Sequence, residues 1–208
     1  MKENTVIKAL IVILLVAALG IYLNQKFRLN VLNESAIYEY NNGKETFTVT
    51  KVKEGDYTGY QIAIFFNDNP EPYYISMRHD PQSLEDIPIS LGSPKESLKF
   101  AKRVFLTLDP AENLTSKATL GLLDIDKIID NKYFYNLPVN SSVASPYLNF
   151  PVVNCQNATE DTIVIWLKKG EKTEIVENNN CILVLGRNED ELLRAADRLS
   201  LYLVGIMN

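Results

Sequence analysis

The chain has 208 residues, 46% of them hydrophobic, with 21 Lys+Arg against 26 Asp+Glu and a formal charge of −5. Four of the bases (Lys2, Lys8, Lys26, Arg28) and one acid (Glu3) precede residue 29, so the remainder carries 17 basic against 25 acidic residues, or −8. That balance argues against nucleic-acid binding, which needs a basic surface, and against docking onto anionic lipid, while the length suffices to bury a core without help.

The amino terminus is the most informative stretch. Ala9 to Leu23 are fifteen uncharged residues, and extending back to Thr5 takes in Lys8 and gives nineteen. At a helical rise of ~1.5 Å per residue this approaches the ~30 Å hydrocarbon core of a bilayer. Residues 1–24 are therefore read as an uncleaved anchor meeting membrane lipid through residues 5–23, with Tyr22 suited to the interface and Lys8 able to snorkel. Two alternatives stay open: a signal peptide cleaved after the small residues of Ala18-Leu19-Gly20, and a pilin-type leader cut near Lys8-Ala9. Flanking charge nearly ties and does not orient the anchor. The only cysteines, Cys155 and Cys181, and the Asn-x-Ser/Thr sequons at Asn33, Asn113, Asn140 and Asn157 all follow the apolar segment. They favour a single-pass protein of the cell membrane with a glycosylated, extracytoplasmic C-terminal domain.

Residues 25–36 read as a short polar stalk, and 37–208 as the outer domain. Within it, 37–78 has the alternation of an antiparallel β-meander. Phe47 and Val49 alternate with threonines; Tyr60, Ile62, Ile64 and Phe66 form a second run; Tyr73, Ile75 and Met77 form a third. Residues 79–208 read as a layered α/β region. Asp80-Pro81 opens a short helix, and Ser93-Pro94-Lys95-Glu96 has the form of a capping box for a helix over about 94–101. Val104–Leu108 is a compact strand, and Leu120, Leu123, Ile125, Ile128 and Ile129 give 117–130 helical spacing. Ile163–Leu167 and Cys181–Leu185 are apolar throughout, as in strands covered on both faces by helices. Asn188 caps a C-terminal helix with Glu191 at its third position, and Asp190 and Arg194 are spaced for an ion pair. The fold class is α/β (α+β): anchor, meander, then a layered α/β region closed by a helix.

The candidate chemistry is sparse. Cys155 and Cys181 are best read as a disulfide, with buried free thiols and a redox or metal pair as the alternatives. His79, the single histidine, lies beside Asp80, but no nucleophile elbow accompanies it, and it reads as a loop histidine near a helix cap. Gly186 precedes a helix whose first turn holds Glu189, Asp190 and Glu191, which complement the dipole themselves and would repel phosphate. Asp124, Asp126 and Asp130 lack a calcium-loop pattern and read as a solvated helix face. Trp166 reads as core. Of Tyr57, Tyr60, Phe65, Phe66, Tyr73 and Tyr74, some could form an outer aromatic surface for carbohydrate or a partner.

The ending Asn180-Cys181-Ile182-Leu183-Val184-Leu185-Gly186, followed by Leu192 to Leu199 and by Leu203 to Met207, resembles that of small uncharacterised archaeal membrane-anchored proteins. Val104 to Pro110 and Asn154 to Thr159 are similar too. The resemblance implies an anchor, an outward α/β domain and a cysteine pair; it transfers no catalytic residue. The expectation is a non-enzymatic binding or scaffolding module of the cell envelope, without metal or cofactor, whose partners are other envelope proteins or glycans. The alternatives are an envelope-polymer hydrolase, marked by a pocket gathering Asp80, Glu85 and Asp124 with perturbed pKa values, and an accessory subunit of a membrane complex.

Overall fold

The computed structural model describes residues 19–20, 37–66, 70–92 and 94–208. The anchor, apart from the helical Leu19-Gly20, lies outside these residues, as do the stalk, the sequon at Asn33, the Asn67–Asn69 turn and the cap at Ser93. Among the described residues no helix is long and apolar enough to cross a membrane.

The first sheet is the expected meander. Strands β1 (Ile37–Asn41), β2 (Thr46–Glu54), β3 (Tyr57–Ile64) and β4 (Tyr73–Met77) pair antiparallel in sequence order. The period-2 pattern puts Tyr40, Phe47, Val49, Ile62, Ile75 and Met77 on one buried face, leaving Thr48, Gln61 and Ser76 outside. Of the six aromatics, Tyr60 and Tyr73 pack towards the core, and Phe66 stacks with Tyr133 at 5.5 Å between centroids. Tyr57, Phe65 and Tyr74 are exposed.

The second sheet has six strands in the order β5-β9-β10-β8-β6-β7. These are β5 (Ile89–Ser90), β6 (Arg103–Leu108), β7 (Val139–Val143), β8 (Thr162–Lys169), β9 (Glu174–Asn178) and β10 (Cys181–Gly186). Only the β9–β10 pair is antiparallel. Three helices accompany it: α1 (Pro94–Phe100), α2 (Ser116–Ile129) and α3 (Glu189–Leu203). Asp80 caps a 3-10 turn over Pro81–Leu84, and Asn188 accepts from Glu191 N at 3.0 Å.

Both long helices lie on one side of this sheet. A single core joins the meander's inner face, α2, α3 and the sheet residues Ile163, Ile165, Leu167, Ile182 and Val184, so the helices are sandwiched between two sheets. This explains why α3 is buried nearly all round, Asp197, Arg198 and Ser200 included. It also corrects the expectation of helices on both faces. The outer face of the six-stranded sheet is met instead by a loop, whose Val153, Cys155 and Ala158 pack with Val164, Cys181, Phe105, Trp166 and Leu183. Trp166 is accordingly half-buried, with Lys168 Nζ 4.5 Å from its ring centroid.

Two glycines fix the ends of α3. A Cβ on Gly186 would stand 2.4 Å from Leu192 N, so only glycine lets β10 turn this closely under the helix; the residue serves packing, not a phosphate. Gly205, at φ +84°, takes the left-handed position that stops α3, with Ile206 N donating to Leu201 O at 3.0 Å. The Asp190–Arg194 pair does not form. Arg194 binds Glu191 at 2.9 Å and Asp86 at 2.6 Å, while Asp190 takes Lys117 at 2.5 Å.

Candidate functional site

Two consecutive residues after β4, Arg78 and His79, join the meander to the helices. Arg78 donates to Asp124 of α2, whose other oxygen takes Lys127 Nζ at 2.9 Å. Asp124 is therefore a buried, doubly paired carboxylate and not part of a solvated face. His79 meets Asp197 of α3 through its backbone N at 3.0 Å and its Nδ1 at 2.8 Å. Burial drives the Asp197 carboxyl above its ordinary 3.8; the His79 hydrogen bond opposes this and the charge of Asp124 adds to it. Asp80 turns elsewhere, capping the 3-10 turn through Gln82 N at 2.9 Å and accepting from Tyr38 Oη at 3.0 Å. Burial, then the bond to Asp80, pushes the Tyr38 hydroxyl well above 10.

His79 and Asp80 thus serve different partners, and among the described residues no hydroxyl or thiol hydrogen-bonds to the imidazole. Asp80, Glu85 and Asp124 likewise have different partners: Tyr38 faces the first, Tyr40 the second and Arg78 the third. Asp126 is raised by burial and then by Asp130. Among the described residues no three His, Cys, Asp or Glu side chains converge on a metal position. This polar cluster is a joint between layers.

Cys155 and Cys181 form a disulfide across 26 residues, tying the outer-face loop to the start of β10. Asn113, Asn140 and Asn157 are all exposed. Asn113 ends a 3-10 turn in the left-handed region, Asn140 stands opposite Phe105 on β7, and Asn157 accepts from Asn154 N at 2.9 Å. Ser142, the hydroxyl residue of the Asn140 sequon, is 5% exposed and bonded to Thr107 at 2.7 Å.

Among the described residues, a cleft of about 560 Å³ opens at the carboxyl ends of β6 and β7. After β6 the chain enters α2 on the inner face; after β7 it leaves across the outer face, so the two adjacent connections part. Such a divergence opens a crevice at the strand ends, where open α/β sheets bind ligands. Leu106, Leu108, Leu114, Leu122, Val143 and Phe150 supply an apolar lining, with Asn113, Thr119, Ser141 and Tyr147 as polar points. Asp109 is the one carboxylate or cation among the lining residues; it accepts from Ala111 N at 3.0 Å and Ser145 Oγ at 2.7 Å.

The cleft was not legible in the sequence because β7 was not. Its residues, Val139-Asn140-Ser141-Ser142-Val143, are polar at the centre, as an exposed edge strand permits. The flanking Pro138 was the available signal. A smaller groove of about 330 Å³ lies between the edge of β4 and α2. Comparisons with protein-family models, curated proteins and solved structures find no match to this chain.

Proposed function

We propose that the chain is a membrane-tethered, extracytoplasmic binding module of the cell envelope, of the small archaeal type its ending resembles, and that it holds an apolar group in the cleft between β6 and β7. The observation that carries this is the cleft's position and lining together: a concavity within the ~300–1,000 Å³ range of small-molecule sites, apolar with a few convergent polar groups, at a sheet's divergence point. Asp109 at its wall selects against anions, so the ligand is neutral or cationic. The Cys155–Cys181 disulfide supports an oxidising compartment, and the sequons at Asn33 and Asn157 are read as carrying glycans there; Asn113 lines the cleft and Ser142 of the Asn140 sequon is buried. No role is assigned to the polar joint beyond fixing the layers.

The test uses the domain from Ile37 onward and a neutral fluorescent probe, N-phenyl-1-naphthylamine. Saturable enhancement at one dye per chain is expected, with a sulfonated naphthyl dye binding more weakly. Ser141→Phe projects a ring into the cleft from an exposed strand position and should abolish the signal while leaving the melting temperature close to wild type. Equal binding by wild type and this variant would overturn the assignment.

A further inference from the structure

We propose that the loop Tyr147–Val152 is a lipid-contacting element that seats the domain on a membrane surface of neutral headgroups; this rests on the tether reading above. Tyr147, Leu148, Phe150 and Val152 are 52, 79, 48 and 46% exposed within six residues. This is not fraying. Val143 N donates to Pro151 O at 3.0 Å, Val153 N to Val143 O at 2.8 Å and Ser145 Oγ to Asp109 at 2.7 Å, so the loop is held in place with its apolar side chains outward. Leu148 at the tip has φ +48°, a conformation that glycine or asparagine adopts with less strain. A leucine that is both strained and exposed is accounted for by a use for its side chain.

The loop's own sequence favours a lipid surface. From Tyr133 to Thr159 the chain carries no charged residue, a stretch of 27 in a protein that is 23% charged, and the neighbouring Asp109 is turned to Ser145 Oγ and Ala111 N. A charge is what the bilayer interface resists most, and tyrosine is what it accepts well. The −8 of the sequence after residue 28 repels anionic lipid, so the fitting surface is neutral. The thirteen residues 24–36 extend to at most about 45 Å, and a domain of about 170 residues has a radius of gyration near 16 Å, hence a diameter of about 40 Å. The stalk is long enough for faces beside its attachment to meet the membrane that holds the tether, and the loop must lie within that reach. Tyr147 and Phe150 also line the cleft, so a seated loop places the cleft's mouth at the lipid interface.

The test is the full chain reconstituted in phosphatidylcholine vesicles, with L148W in a W166F background so that a single indole reports the loop. Vesicles of acyl-brominated phosphatidylcholine should quench most of that emission, and Phe150→Asp added to the same chain should restore it. Y57W in the W166F background should stay bright. A chain that floats with the vesicles but leaves the L148W indole unquenched overturns the proposal and assigns the loop to a protein contact. A chain that fails to float overturns the tether reading, and the proposal with it.

Discussion

Reducing the Cys155–Cys181 bond should lower stability by an amount that follows from its span. The bond closes 26 residues. Chain-entropy reasoning for a loop of that size gives about 12 cal/mol/K, or about 3.5 kcal/mol at 25 °C. Reduction changes little else, because Cys181 is fully buried and a thiol there remains a small apolar group. With a urea slope of about 2–3 kcal/mol/M, the midpoint should fall by about 1–2 M. Trp166, the single tryptophan, packs in the cluster that the outer-face loop covers, so its emission reports the transition directly. The assay is urea unfolding of the domain with and without reductant. A midpoint that moves by less than about 0.3 M would show that the bond does not constrain the unfolded chain as reasoned, and the loop's hold on the outer face would then rest on packing alone.

Arg78→Met should leave Asp124, 1% exposed, with Lys127 alone; the loss is about 2–3 kcal/mol, below that of a fully buried pair because Arg78 and Lys127 reach solvent. Adding Asp124→Asn should recover part of it, and chemical denaturation of the two variants checks both. Asp197 has a folded pKa raised above 3.8, so the folded state binds more protons than the unfolded state between 3.8 and that raised value. Stability from this group is therefore full below about pH 4 and falls as pH rises through the folded pKa; Asp197→Asn should flatten that fall, seen in thermal midpoints across pH 4–8.

Much of the architecture was readable because its signals are local. The alternation in 37–77 specifies one buried face of a meander, and Asn188 with Glu191 marks the start of α3 where the structure has it. The cysteine pair was legible from parity and position. The features that escaped depend on what lies across a layer. Asp124 looks like a polar residue on a helix surface until β4 delivers Arg78 to it. Asp197 and Arg198 carry charge and no local signal of burial, yet both are buried on α3, Asp197 against His79 from the end of the meander. Ile163–Leu167 carries the pattern of a strand buried on both faces, but the second cover is a disulfide-tied loop rather than a helix. The cleft depends on β7, whose pairing is long-range and whose composition is that of an edge.

The most direct measurement is methyl NMR of the domain titrated with a neutral aliphatic alcohol such as 1-decanol. Saturable shifts at Leu106, Leu108, Leu114, Leu122 and Val143, with the α3 methyls of Leu199 and Leu203 unmoved, are the expected result. Shifts that grow without saturating, or that spread evenly through the core, would contradict a binding site between β6 and β7.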